Sequence, residues 1–319
     1  MAIASRDFDV QIVDLCTVTA TELEALWQGE EALWRQRLLW DISEVLETLR
    51  RMVARRGLPG KAVRVGEQTV GYTYYGITGR LGCVANLVIT PAWNQAEVGE
   101  PLLRATLEAL HARDVSRIES RCVASDSPWL VAACERWGLR TYWREFLRLD
   151  LSQICATTPS LEGIQVVPWH GAHLGEAAAV MQAAYAGTID AELNTLYRTV
   201  EGCQLVLDTI LNQGGCGRPV LEASAMLYDK GQSAGCVVIT ETAPRQGHLA
   251  QVVVQPASQR HGLGRLLLHY SMSQLATRQF DTLSLIVSRA NHRALSLYQT
   301  MGWHAVLAFP VFVWEKSSY

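Results

Sequence analysis

"VVVQPASQRHGLGRLLL", Val252 to Leu268, is the stretch whose reading decides the fold. A β-branched run meets Pro256, a polar loop carries Gly262 and Gly264, and a leucine-rich segment follows at once, which reads as strand, turn and helix. Glycine costs a helix interior up to about 1 kcal/mol relative to alanine, so a pair at a helix entrance needs a local reason. One reason is steric: a tight strand-to-helix turn, or close packing of helix on sheet. The other is electrostatic: the backbone amides from Gln259 to Gly264 are bared toward an anion, with the helix dipole behind them. The glycines alone do not choose between these.

Around this stretch the second half of the chain reads as an ordered series. "IQVVPW" is a strand, Ala172 to Tyr185 a helix, and Ile189 to Leu211 further helix. "EASAMLY", "SAGCVVITET" and "GHLAQVVVQP" are strands joined by turn residues. The glycine turn then leads into helix Leu263 to Ala276, strand "TLSLIV", helix Asn291 to Met301 and a last strand, "FPVFVWEK".

The first half repeats the order. "FDVQIVDL" opens it, and an amphipathic helical stretch runs from Thr21 to about Val53, with Thr21 and Glu24 matching a capping box. Its tryptophans Trp27 and Trp34 keep helical spacing and read as core. "KAVRV", "QTVGYTYYGI" and "CVANLVIT" are strands, followed by helix Pro101 to Ala112, strand "SRIESRCV", helix Pro128 to Trp137 and strand "REFLRLDL". A repeated order of elements predicts two domains of one α/β (α+β) type. The expected division is 1–150, a Ser/Thr/Pro-containing linker over 151–163, and 164–319.

At 319 residues and 49% apolar composition the chain can build two such cores. A net charge of −3 without a Lys/Arg block argues against a nucleic-acid footprint, so no nucleic-acid partner is expected. No apolar run reaches the roughly 18 residues of a membrane span, and "MAIASRDFDV" has no signal-peptide core, so a cytoplasmic protein without a membrane partner is expected. The cysteines Cys16, Cys83, Cys122, Cys134, Cys155, Cys203, Cys216 and Cys236 show neither CxxC nor zinc-ligand spacing. They read as reduced structural thiols, and no metal is expected.

Val254-x-Pro256 followed by Gln259-Arg260-His261-Gly262-Leu263-Gly264 resembles the central signature of the GNAT superfamily of acyl-CoA-dependent N-acyltransferases. "NHRALSLYQTMGW", Asn291 to Trp303, resembles that family's second signature, in the right order and one helix and one strand downstream. The resemblance implies two tandem GNAT-like domains, each a mixed, mostly antiparallel central sheet flanked by helices. It implies acetyl-CoA as co-substrate and a small-molecule or peptide amine as acceptor. By the same resemblance the amides of Gln259 to Gly264, with Arg265, cradle the pyrophosphate, the strand Val252, Val253 and Val254 pairs with the pantetheine arm, and Asn291 addresses the cofactor. A main-chain N–H near Val253 or Val254 supplies the oxyanion donor, and Tyr298 is the acid for the leaving thiolate. Asn291 and Tyr298 lie seven residues apart, on one helix face. For each of these a plainer reading stands beside the functional one: a tight turn for the glycines and a packing ring for Tyr298.

Two departures matter. Many family members carry a carboxylate on the central strand just before Val-x-Pro, where this chain has Ala250 and Gln251. His248, Glu241, Asp190 and Glu222 are the alternative proton acceptors, beside deprotonation through ordered water, with no choice made among them. In the first half, aligning Pro91 with Pro256 puts Glu97 at the place of Gly262 and Gly99 at that of Gly264, and Ser127 and Cys134 stand opposite Asn291 and Tyr298. That half reads as a degenerate copy. An N-acetyltransferase with one working site is the leading expectation, and a non-catalytic acyl-CoA-binding regulatory module is the alternative.

Overall fold

The computed structural model describes residues 9–120, 127–152 and 160–316. Phe8 of the opening strand, the end of "SRIESRCV" with Cys122, and the 153–159 stretch of the expected linker with Cys155 lie outside the described residues. The chain packs as two units, Met1–Trp143 with Phe309–Tyr319, and Arg144–Ala308.

In the first unit the elements are β1 (Val10–Asp14), α1 (Ala20–Leu38), α2 (Ser43–Ala54), β2 (Gly60–Val65), β3 (Gln68–Thr78), β4 (Leu81–Ile89), α3 (Ala96–His111), β5 (Arg117–Ser120) and α4 (Leu130–Arg136). A long strand β6 (Arg140–Asp150) then carries the chain into the second unit. There follow β7 (Ile164–Pro168), α5 (Leu174–Tyr185), α6 (Ile189–Leu193), α7 (Val200–Asn212), β8 (Arg218–Pro219), β9 (Ala225–Asp229), β10 (Gln232–Ala243), β11 (Gln246–Val254), α8 (Leu263–Thr277), β12 (Thr282–Ser288) and α9 (His292–Thr300). The last strand, β13 (His304–Glu315), starts in the second unit and from Phe309 belongs to the first.

Each unit holds a mixed, mostly antiparallel sheet flanked by helices. The first runs β1-β2-β3-β4-β5-β13 and the second β6-β12-β11-β10-β9-β7. β4 pairs with β5, and β11 with β12, in parallel. The terminal strands are exchanged: Arg144 to Asp150 of β6 pair with β12, and Val313 to Glu315 of β13 pair with β5. In the first unit, α1 and α2 bury Leu23, Leu26, Trp27, Leu46 and Leu49 against Ala62 and Tyr72 on one face, while α3 buries Leu103, Leu107 and Leu110 on the other. In the second, α5 and α7 bury Ala177, Val180, Met181, Cys203 and Leu207 on one face, and α8 buries Leu263, Leu266, Leu267 and Leu275 on the other.

Three local expectations are corrected. The capping box is formed by Thr19 and Glu22, not Thr21 and Glu24: Glu22 N donates to Thr19 Oγ1 at 3.3 Å and Thr19 N to Glu22 Oε2 at 2.9 Å. Glu24 pairs instead with Arg50 at 3.0 Å. The long helix from Thr21 is broken at Leu39, which adopts the left-handed conformation at φ 57°, and Asp41 holds the turn before the restart by accepting from Ser43 N at 2.9 Å. Ile189 to Leu211 likewise divides into α6, a 3-10 turn at Thr195–Arg198 and α7, because Thr199 caps a new helix through Gly202 N at 3.0 Å.

Candidate functional site

The second unit's cleft begins with a divergence of strands. β11 pairs with β12 only from Gln246 to Leu249, after which β12 continues beside β6, with Ser288 opposite Arg144. From Ala250 to Val254 the edge of β11 facing away from β10 is left without a ladder partner among the described residues. Gln255 N donates to Ala234 O at 2.8 Å, so by the alternation of a strand the N–H groups of Val252 and Val254 point away from β10 and into this gap. The gap widens into a cavity of about 460 Å³ lined by Val252 to Val254, the glycine turn, Asn291 and Tyr298 on α9, and Tyr185 and Asp190 from the α5–α6 region.

The glycine turn closes one end. Gly262 is the N-cap of α8 at φ +79°, a left-handed conformation that favours glycine, and a Cβ there would meet nothing within 4 Å. A Cβ on Gly264 would meet nothing nearer than Leu297 at 3.8 Å. Neither glycine is therefore required by the packing of the protein on itself. Both leave the first amides of a fifteen-residue helix open to the cavity, the arrangement that binds an anion. The Gln259 side chain ties the turn down, donating to Val254 O at 2.9 Å and accepting from Arg293. Arg260, Arg265 and Arg293 line the same end of the cavity. Of the residues expected to hold the cofactor, Val252, Val253, Val254, Gln259, Arg260, Gly262, Leu263, Gly264, Arg265 and Asn291 all line it, and His261 does not.

Asn291 has a structural role as well: its Oδ1 accepts from Ala294 N at 3.1 Å and caps α9. Tyr298 lies 6% exposed, its ring 5.6 Å from that of Trp303, and its hydroxyl makes no hydrogen bond among the described residues. Burial, and then the negative charge of Asp190, push its pKa above the ordinary tyrosine value, so the phenol stays protonated at neutral pH.

Gln251, standing where a carboxylate was sought, is the buried hub of a partly buried polar cluster. Tyr185 donates its hydroxyl to Gln251 Oε1 at 2.7 Å, Gln251 Nε2 donates to Tyr197 Oη at 2.9 Å, and the two tyrosine rings stack at 4.3 Å. No charge-bearing group replaces it on the strand. Of the four proton acceptors left open by the sequence, the structure brings only Asp190 to the cavity. His248 is buried against Ser284, its Nδ1 3.0 Å from the hydroxyl, and burial, then the positive charge of Arg144, hold its pKa down to about 3. Glu241 is occupied by Arg218 and by Arg245 N at the far end of β10, and Glu222 sits on an exposed turn. Asp190 lines the cavity, and its Oδ1 accepts from Ser288 Oγ at 2.8 Å and lies 3.6 Å from Arg144 Nη2. Pattern reading missed the Tyr185, Tyr197 and Gln251 cluster, because its members are joined only by the tertiary fold.

The first unit differs at the corresponding turn. Gly99 is there for packing: a Cβ would fall 1.9 Å from the Trp129 ring. Glu97 stands in the first turn of α3, and Cys134 is fully buried in the core rather than facing a cleft. Ser127 lines a separate cavity between α1 and β4.

Residues 204–303 match the acetyltransferase (GNAT) family model. Over 66 residues the chain is 38% identical to the [ribosomal protein bS18]-alanine N-acetyltransferase of Salmonella typhimurium (strain LT2), covering 21% of this chain and 45% of that protein. It is 36% identical over the same length to the Escherichia coli (strain K12) protein of that name. The match thus spans less than half the length of these relatives. Among solved structures, a GCN5-related N-acetyltransferase from Sphaerobacter thermophilus superposes with a TM-score of 0.69 at 16% identity over 98% of each chain. A tandem GNAT protein from the clavulanic acid biosynthesis pathway superposes with a TM-score of 0.60 at 15% identity over 98% of this chain and 100% of that one. These likenesses establish the fold.

Proposed function

We propose that this chain, a member of the GNAT superfamily through the domain in its second unit, transfers an acetyl group from acetyl-CoA to a primary amine at that unit's cleft alone. The observation that carries the reading is the coincidence, in one cavity, of the unpaired β11 edge, the unfilled amides of the glycine turn and the unengaged Tyr298 hydroxyl.

The division of labour follows from the chemistry of the groups. The turn from Gln259 to Gly264, with Arg260 and Arg265, supplies amides and positive charge for the pyrophosphate, and Val252 and Val254 offer outward amides to the pantetheine and the thioester oxygen. Asp190 is the acidic residue of the cleft and faces the incoming amine. It receives the proton that the nitrogen loses as the C–N bond forms, directly or through one water. The C–S bond then breaks and the sulfur leaves with the electron pair, while Tyr298 donates a hydrogen bond to it. An ordinary thiol pKa is about 8.5, well below that of this buried phenol, so Tyr298 stabilises the thiolate more than it protonates it. The products are the acetylated amine and CoA. The Salmonella and Escherichia coli relatives are named for an alanine of a ribosomal protein, and for this chain the acceptor class is either a small amine or a peptide amine.

Incubation with acetyl-CoA and a library of small amines and peptides tests the reading through release of free CoA thiol. Release that depends on an amine and is abolished by Gly262→Glu supports it. Stoichiometric acetyl-CoA binding without turnover on any amine replaces it with the non-catalytic alternative.

A further inference from the structure

The cavity between α1 and β4 of the first unit is used by nothing described so far. It measures about 500 Å³, close to the 460 Å³ of the second unit's cleft. We propose that it is a second small-molecule site, taking a small organic ammonium ion on Glu30 and excluding acyl-CoA. The proposal does not depend on the acyl-transfer reading.

Strand register identifies what the cavity is. Leu81 to Val84 of β4 pair with β5 in the same parallel manner as Gln246 to Leu249 of β11 pair with β12. "ANLVITP" from Ala85 to Pro91 therefore occupies the place of "AQVVVQP" from Ala250 to Pro256. Thr90 N donates to Val70 O at 2.9 Å, as Gln255 N does to Ala234 O, so Leu87 and Ile89 turn their amides away from β3 as Val252 and Val254 turn theirs away from β10. The cavity is the inner part of a cleft of the same design, with its anion-binding end replaced.

Its chemistry has been inverted. Three arginines line the second unit's cleft, whereas among the described residues no Lys or Arg lines this one and Glu30 is its acidic residue. Glu97 in the first turn of α3 and Trp129 over Gly99 oppose a pyrophosphate at the old entrance. Glu30 is 8% exposed and held by three side chains: Tyr72 donates its hydroxyl to Oε2 at 2.7 Å, Asn86 Nδ2 donates to Oε1 at 2.5 Å, and Trp34 adds a hydrogen bond from one turn along α1. Asn86 is the counterpart of Gln251, so both units use the amide at this strand position as a hub, and only here does the hub hold a carboxylate. Burial raises the Glu30 pKa, and an ammonium ion beside it would offset that desolvation cost. Trp34 lines the same wall, its ring 5.3 Å from that of Trp40. Ala25, Gly29 and Ala32 share one face of α1 and leave the room open, and a Cβ on Gly29 would meet nothing within 4 Å.

The test is calorimetric titration of the intact chain carrying Asp190→Asn, which removes the carboxylate from the second unit's cleft, with ethylammonium, butylammonium, putrescine and phenethylammonium. At least one of these ions is expected to bind with one-to-one stoichiometry. Adding either Glu30→Gln or Gly29→Leu should weaken that binding at least tenfold while acetyl-CoA binding stays unchanged. Gly29→Leu fills the space without touching the Glu30 hydrogen bonds, so it decides the matter if Glu30→Gln proves unstable. Three results overturn the proposal: no ion of the panel binds, the ion that binds is indifferent to both substitutions, or Gly29→Leu weakens acetyl-CoA.

Discussion

Trp129 fills the space that a side chain on Gly99 would need, with ring atoms 1.9 to 2.4 Å from the position of a Cβ, and its Nε1 donates to Asn94 Oδ1 at 2.9 Å. Gly264, equally eight residues beyond its proline, has no neighbour nearer than 3.8 Å at the same place. Two glycines that look alike in sequence thus answer different needs. Gly99→Ala should destabilise the first unit by about 1 to 3 kcal/mol, the usual cost of overpacking, in part offset by alanine's better helix propensity. Gly264→Ala should leave stability unchanged or slightly raised and weaken acetyl-CoA. Chemical denaturation and calorimetry on the two variants check the pair.

Glu97→Gly should not create a second acetyl-CoA site. The substitution removes one repulsive charge, but Trp129 remains packed on Gly99, and Ser127 and Cys134 remain where the working half has Asn291 and Tyr298. A second equivalent of acetyl-CoA bound by this variant would show that Glu97 alone keeps the first unit empty.

His248 makes stability depend on pH in a defined window. Its folded pKa is held near 3, against an ordinary 6.5, first by burial and then by Arg144. Between those values the unfolded chain takes up a proton that the native state refuses, so this group's contribution to stability is present above about pH 6.5 and is lost as the pH falls toward 3. The slope approaches about 1.4 kcal/mol per pH unit. His248→Gln should flatten the acid limb of unfolding free energy against pH, and an unchanged limb would place the uptake elsewhere.

Tyr298→Phe keeps the ring and its contact with Trp303. Stability, acetyl-CoA affinity and acceptor KM should stay near their starting values while kcat falls by about tenfold or more, the signature of an interaction made mainly in the transition state. Because burial raises the phenol's pKa, the wild-type rate should show no alkaline decline due to this group below about pH 10, the ordinary tyrosine value. A Phe variant with wild-type turnover, in a reaction whose chemical step is rate-limiting, would reduce Tyr298 to a packing residue.

The sheet-and-helix class and the turn at Gly262 were legible because each rests on neighbours in sequence: β-branched strand residues, a proline, and a glycine where φ is +79°. The helix cap was ambiguous for a local reason, since Thr19 with Glu22 and Thr21 with Glu24 both fit the capping pattern and only the chain's entry angle selects the first. The break at Leu39 carries no glycine or proline to announce it. Asp190 could be named but not chosen, because its approach to Ser288 spans 98 residues of sequence. The same holds for the partners of β6 and β13, which strand periodicity does not specify.

The account's central claim, one acyl-CoA cleft built on the second unit's glycine turn, is tested most directly by calorimetric titration of acetyl-CoA into the intact chain and its Gly262→Glu variant. The wild-type chain should bind one equivalent, and the variant should bind at least tenfold more weakly, about 1.4 kcal/mol, because a carboxylate then stands at the open left-handed position before α8. Two equivalents in the wild type, or unchanged affinity in the variant, would contradict it.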